Sequence, residues 1–470
     1  MAASEATIRP PGPAGPAASA GVRTRAMRDG ATLSVDEAGR FAIGPCDGHV
    51  PAGLAGDGQG PLAAAAGDYR TFQRRALRPR LDYLILVPTL RCNLSCSYCQ
   101  VSRVNERQAG FDWSDETLAA VLAVIDRMED GPIKIEFQGG EPTLRPDLIR
   151  AVIDRCDRFA RKEFVICTNL QTLNDDILAI FDRPDVFVST SLDGDFALHG
   201  RHRTETPERT AAFLANLRRV VDRYGPGKVS ALPTVDPRDP PDPDDLIDAF
   251  RAFGFESIFL RPINFQGFAR KRHAGSRELD DAWRSYHADF VRRLIERNWA
   301  DRSTVLEETY FSICLRRVFQ PGRERHVDLR NPNPMGIDYV VIDHDGAVHP
   351  TDEARMLARS RVIDLSIGHV ATGWDGPTRE ALNARCDNRD DPVCSTCAYQ
   401  PFCGRDLVDD ISRYGRIDVP RHETEFCRRH MALFDLVFEL VRSDDPAVAH
   451  SLARWLRLPG TPRSIADLAA

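Results

Sequence analysis

Between residues 81 and 262 the chain alternates two rhythms of apolar and polar positions. Short, nearly continuous apolar runs recur at LDYLILVP (81–88), IKIEF (133–137), EFVICT (163–168), VFVSTSL (186–192), KVSALPTV (228–235) and SIFLRP (257–262). Runs of that length, β-branched and bounded by Pro or polar residues, read as buried strands. Between them lie longer segments with apolar residues at helical spacing: 114–128, 146–162, 173–181, 206–224 and 242–253. Ser114 opens the first of these as an N-cap. Six strands alternating with helices predict an α/β fold with a parallel sheet and right-handed crossovers. The expected architecture is a partial (β/α)6 barrel, smaller than the eight-fold form, with any active site at the C-terminal ends of the strands.

The flanks break this rhythm. Residues 1–25, rich in Ala, Pro and Gly, have little to bury and read as a disordered tail. Residues 26–80 form an ancillary region, with weak strand patterning at 31–44 and a short helical run through Phe72 and Leu77. The barrel core is assigned to 81–275. A cysteine-rich domain follows at 276–440, with two helical stretches, a hairpin-like YVVIDHDGAVHP (339–350) and an amphipathic helix at 431–443. Residues 441–470 complete that helix and end in a tail.

Charge and composition narrow the function. Of 470 residues, 42% are hydrophobic and 28% charged, the balance of a soluble globular protein. With 62 basic against 69 acidic residues, the net charge of −7 offers no support for a nucleic-acid binder, which usually shows a basic face. No apolar run approaches the ~18 residues of a membrane span, and no charged segment leads into an apolar core as in a secretory signal. A cytoplasmic location without membrane association is expected.

In a reducing cytosol twelve cysteines are not structural disulfides. Cys46, Cys156, Cys167 and Cys314 are scattered and read as inert. Cys92, Cys96 and Cys99 share one loop immediately after the first predicted strand, spaced Cys-x3-Cys-x2-Cys. A zinc site completes four ligands with a second Cys pair or with His, and no His lies near. Three thiolates on a cubane cluster would leave one iron open to a chelating small molecule; a structural zinc stays as the alternative. The second strand ends in Gly139, Gly140, Glu141 and Pro142. The glycines remove Cβ atoms that would keep a ligand from the backbone, and Glu141 can accept hydrogen bonds from an amine; a plain turn with a surface Glu is the competing reading.

In this order the motifs resemble the radical S-adenosylmethionine (SAM) superfamily. The loop RCNLSCSYCQ is similar to its cluster-binding loop and GGEP to its SAM-amine motif. Thr168 and Asn169, at the end of the third strand, also fit. STSLDGDFALHGRHR, with Ser191, Asp193, Gly194, His199 and Arg203, resembles the segment after the fourth strand in peptide-modifying members. The resemblance implies a [4Fe–4S] cluster on Cys92, Cys96 and Cys99, with SAM chelating the fourth iron. One-electron cleavage of SAM would give a 5′-deoxyadenosyl radical that abstracts a substrate hydrogen. Glu141 would hold the SAM amine, Ser191 and Arg203 would donate to its carboxylate or ribose, and Tyr98 would flank the adenine. No side chain is singled out as a catalytic acid or base, because the difficult chemistry belongs to the cofactor.

Near the C-terminus, Cys394-x2-Cys397-x5-Cys403 and the more distant Cys427 resemble the SPASM domain of such enzymes. That domain carries seven cysteines and two auxiliary clusters. Here Leu407 stands at the fourth central position, Thr351 replaces one upstream cysteine, and Asn and Pro of NPNPMG occupy the region of another. The set retained implies one auxiliary [4Fe–4S] cluster on Cys394, Cys397, Cys403 and Cys427, with zinc as the alternative and Cys386 as a spare. Asp343, His344, Asp352 and Glu353 read as a solvated turn in preference to a substrate-facing set. The resemblance is closest to maturases paired with precursors bearing His-Xaa-Ser repeats, implying a ribosomally made precursor peptide as substrate and flavodoxin or ferredoxin as electron donor. A sulfatase-maturase-like enzyme and a non-catalytic iron–sulfur carrier are the alternatives. Residues 26–80 would then contribute to leader-peptide capture.

Overall fold

The computed structural model describes residues 22–37, 39–44, 80–320, 326 and 329–457. Residues 1–21 of the expected tail, the helical run through Phe72 and Leu77, and Cys46 lie outside these residues; the end of that tail is not disordered, because Arg23–Ala26 pair as a strand with Thr32–Val35. The chain divides into two compact units: one of residues 79–279 and 334–382, the other of residues 1–78, 280–333 and 383–470. Residues 334–382, expected with the cysteine-rich domain, therefore fold with the barrel core.

In the barrel unit, strands β1 (Tyr83–Leu86), β2 (Ile133–Phe137), β3 (Lys162–Cys167), β4 (Val186–Ser191) and β5 (Val229–Leu232) lie in sequence order and pair in parallel. The sixth parallel strand is not SIFLRP. It is β6 (Tyr339–Ile342), which pairs alongside β1 with Tyr83 opposite Tyr339. Pro233 explains the difference. A proline has no N–H for the ladder; after it only Thr234–Val235 continue as a strand, and Arg261–Pro262 pair there in a separate ribbon. The expected hairpin forms, with β6 antiparallel to β7 (Ala347–His349), and β8 (Gly368–His369) completes an eight-stranded sheet.

Alternation gives the sheet two unlike faces. Ile133, Ile135, Phe137, Phe164, Ile166, Val186 and Val188 are buried on one. Lys134, Glu136, Val165, Cys167, Phe187, Ser189 and Ser191 stand half-buried on the other. The connecting helices are α1 (Asp115–Arg127), α2 (Pro146–Arg155), α3 (Asp175–Phe181), α4 (Pro207–Tyr224) and α5 (Pro243–Arg251). Ser114 caps α1 as expected, accepting from the Thr117 N–H at 3.1 Å.

The second unit joins an antiparallel sheet (Arg23–Ala26, Thr32–Val35, Phe41–Gly44) to helices Asp280–Ala300, Thr309–Phe319, Leu407–Tyr414, Glu425–Val441 and Pro446–Trp455. Phe41 packs edge-on against Phe319 (5.8 Å) and Phe438 (5.1 Å), and Tyr399 stacks on Phe438. The 31–44 strands are thus part of this core. The closing helix begins at Glu425, earlier than the apolar pattern indicates, because Thr424 caps it and places Cys427 in its first turn.

Candidate active site

The loop after β1 is built against the end of β2. The Gly140 N–H donates to the Thr89 carbonyl (3.0 Å) and the Glu141 N–H to the Arg91 carbonyl (2.8 Å). A Cβ on Gly139 would lie 2.2 Å from the Thr89 oxygen, and one on Gly140 2.2 Å from the Arg91 oxygen. The space the glycines leave is filled by this chain's own backbone, so they let the loop carrying Cys92 approach the strand end.

Glu141 is 1% exposed and its carboxylate is fully engaged. Oε1 accepts from the Thr143 N–H (3.1 Å) and hydroxyl (2.6 Å), and Oε2 accepts from the Asn169 N–H at the end of β3 (2.7 Å). Burial raises its pKa and these hydrogen bonds oppose the rise. The Asn169 amide donates to Asn93 Oδ1 (2.8 Å) and lies 3.6 Å from Cys92 Sγ. One network thus ties the cysteine loop to the ends of β2 and β3. Pro142 opens the short turn that Glu141 caps.

A second network braces the far side of the loop. The Tyr98 hydroxyl donates to Asp193 and accepts from Arg203 Nη1 at 3.0 Å. Asp193 Oδ1 also accepts from the Thr234 N–H (3.1 Å). The Tyr98 ring is buried with Ile263, Phe265 and Ala269. Cys96 Sγ is 3.8 Å from the Arg203 carbonyl, and the Ser97 N–H donates to the His202 carbonyl (2.9 Å). His199 stacks on Phe213 at 4.1 Å. Asp193, quoted in the motif but given no role, is therefore central: it joins β4's end to Tyr98. Ser191 ends β4 on the half-buried face.

The three thiols are one another's electrostatic neighbours. Burial pushes Cys92 to about 12, with Glu141, Cys96 and Cys99 contributing. It pushes Cys96 to about 11 against the pull of the Arg203 cation. Three cysteine sulfurs in one loop, with the Leu94 N–H directed at Cys92 Sγ (3.4 Å), suit an iron–sulfur cluster with an open corner.

Beside this loop the half-buried face of the sheet is polar. Glu136 accepts from the Tyr83 hydroxyl (2.6 Å) and the Gln138 amide (2.6 Å), and Cys167 Sγ lies 3.4 Å from its Oε1. Cys167 is therefore not an apolar core thiol, whereas Cys156 and Cys314 are fully buried. Nor do Asp343 and Asp352 form a solvated turn: they are 5% and 8% exposed. Asp352 accepts from Nε of Arg355, a wholly buried arginine, at 2.8 Å. The pattern hid this pair because Asp352 and Arg355 lie three apart on a short helix, Asp352–Arg359, which carries the polar face inward.

In the other unit Cys394, Cys397, Cys403 and Cys427 form the second thiol group. Each is raised by burial, and neighbouring thiols of the group contribute at Cys394, Cys403 and Cys427. The main electrostatic influences on Cys386 are instead Asp387, Arg405 and Arg389. Leu407 is fully buried and begins a helix capped by Asp406. Asn331 accepts from the Asn388 N–H (2.7 Å) and the Asn333 amide donates to the Arg405 carbonyl (2.9 Å). In the barrel unit Thr351 caps the 352–359 helix. Those positions therefore carry a helix start, amide bonds and a cap.

Residues 86–250 match the model of the radical SAM superfamily. The chain carries a radical SAM domain. Two uncharacterised archaeal proteins are similar over a quarter of its length. The one from Methanocaldococcus jannaschii is 33% identical over 117 residues, covering 24% of this chain and 39% of that protein. The one from Methanothermobacter thermautotrophicus is 26% identical over 121 residues, covering 24% and 43%. The chain thus spans about two fifths of the length of the curated relatives it matches. The solved structure of anSMEcpe with bound AdoMet and the Cp18Cys peptide shares the fold beyond the radical SAM domain: TM-score 0.56, 16% identity, 76% of this chain and 97% of that one. No helix among the described residues is long and apolar enough to cross a membrane.

Proposed function

We propose that this chain is a radical SAM maturase that abstracts hydrogen from a ribosomally made peptide and so installs a post-translational modification. The observation that carries the reading is the three-cysteine loop, locked to the ends of β2, β3 and β4 by Glu141, Asn169, Asp193 and Arg203. Cys92, Cys96 and Cys99 would hold a [4Fe–4S] cluster. When bound, cluster and SAM supply one-electron cleavage of a sulfonium, and hence a carbon radical able to take a substrate hydrogen.

The residues of the chain position and exclude. Glu141 and Asn169 fix the height of the loop over the sheet, and the Tyr98–Asp193–Arg203 network fixes its far edge. Ser191 and the peptide groups at the strand ends remain as donors for SAM. The polar face with Glu136, Cys167, Asp352 and Arg355 is the side for the substrate. That anSMEcpe holds a peptide in the same fold supports a peptide in this place. The second thiol group fits a fully ligated auxiliary [4Fe–4S] cluster, and the capped or hydrogen-bonded positions that replace further cysteines favour one such cluster over two. Flavodoxin or ferredoxin would supply the electron, in a reducing cytoplasm.

Anaerobically reconstituted protein given dithionite and SAM should release 5′-deoxyadenosine and methionine. Alanine at Cys92, Cys96 or Cys99 should abolish this. Wild-type protein with a full iron complement that releases neither would overturn the reading.

A further inference from the structure

We propose that Arg421 sets the reduction potential of the auxiliary site, favouring its reduced state, with Asp410 as the opposing charge. The inference deepens the proposed function and rests on reading Cys394, Cys397, Cys403 and Cys427 as iron–sulfur ligands.

Arg421 lies in the turn between the helices Leu407–Tyr414 and Glu425–Val441 and is 3% exposed. Its carbonyl accepts from the Thr424 N–H (3.0 Å) and hydroxyl (2.8 Å). Thr424 Oγ1 in turn accepts from the Cys427 N–H at 3.2 Å, so its backbone is fixed to a ligand's. The guanidinium is paired with the Asp410 carboxylate, itself 1% exposed, and its carbon sits 5.4 Å from the centre of the Phe426 ring. Cys394, Cys403 and Cys427 are among the electrostatic neighbours of this buried guanidinium.

A buried ion pair is a poor stabiliser, since desolvating both charges costs about as much as their attraction returns. Placed beside these thiols it has a different use. A [4Fe–4S] cluster with four cysteinates carries net charge −2 when oxidised and −3 when reduced. A fixed buried cation stabilises the state with the extra electron, raising the potential, and a fixed anion lowers it; net charge and burial are the protein's means of tuning such clusters. The two partners of one ion pair should therefore move the potential in opposite directions. A purely structural pair would not: losing either member would damage the site alike.

The test uses the full chain with Cys92, Cys96 and Cys99 changed to Ala, so that only the auxiliary site is redox-active. Iron and sulfide are measured per chain, and the potential by EPR-monitored titration. Arg421→Met should lower the potential, Asp410→Asn should raise it, and Arg421→Lys should stay near the parent, with iron content unchanged. Equal potentials in all variants, or shifts of the same sign for Arg421→Met and Asp410→Asn, overturn the proposal. If Arg421→Met loses its iron, Asp410→Asn alone decides: a potential that does not rise refutes the assignment. A parent that holds zinc and no iron refutes the cluster reading itself, a result visible in the metal analysis before any potential is taken.

Discussion

Glu141 offers the sharpest check on how the radical SAM domain is assembled. In the structure its carboxylate accepts three hydrogen bonds from Thr143 and Asn169 and is sealed from water. Glu141→Ala strands two backbone N–H groups and one hydroxyl. Bonds to a charged acceptor are worth about 1.5–3 kcal/mol each. Relief of the buried charge offsets several kcal/mol of that sum. A net loss of roughly 2–4 kcal/mol is expected, or a fall in melting temperature of about 5–15 °C for a unit of this size. Glu141→Gln, with a single acceptor oxygen, should fall between. The assay is thermal unfolding of the metal-free chain by circular dichroism, alongside iron retention after reconstitution. If Glu141→Ala melts with the wild type while SAM affinity alone collapses, the carboxylate serves the ligand directly and the strand-tying argument is wrong.

Gly140→Ala should force the loop off the strand, because its Cβ would sit 2.2 Å from the Arg91 oxygen. A loss of about 1–3 kcal/mol is expected, with reduced iron at the front site in metal analysis. Tyr98→Phe removes the hydroxyl between Asp193 and Arg203 and should destabilise by roughly 1–3 kcal/mol, seen in urea unfolding, while the cluster signal of reconstituted protein broadens as the loop loosens. Cys394→Ala should take iron from about eight to about four atoms per chain, as expected for loss of one of two cubane clusters, leaving 5′-deoxyadenosine release from the front site measurable.

The residue pattern showed the elements that carry their own periodicity. Ile133–Phe137, the Ser114 cap and the alternation through β5 could be read directly, since each is decided within a few residues. The three-cysteine loop was legible for the same reason. What it did not show are the relations decided by tertiary partners. Pro233 diverts the chain, yet nothing local indicates that Tyr339–Ile342 will supply the sixth parallel strand at the other end of the run, beside β1. Glu141 reads as a free acceptor, but the donors that claim it are Thr143 and, from another strand, Asn169. Asp352 reads as part of a solvated turn because burial of its ion pair with Arg355 leaves no mark in a short helix. Asp193 did carry a signal, its place in the segment after β4, which only the position of Tyr98 explains.

The pairing of Tyr83 with Tyr339 also bears on how the chain is made. The first strand of the barrel sheet, starting at Tyr83, waits for one of its two neighbours, which emerges only after residues 280–333, part of the other unit, have been synthesised. Contacts so remote in sequence form late, since a long loop must close before they contribute. Until then one edge of the nascent sheet stands uncovered, a template for pairing with other chains. A fragment cut at 279 would keep every residue of the front cysteine loop and still expose that edge permanently, so truncation there should favour aggregation over a smaller working enzyme.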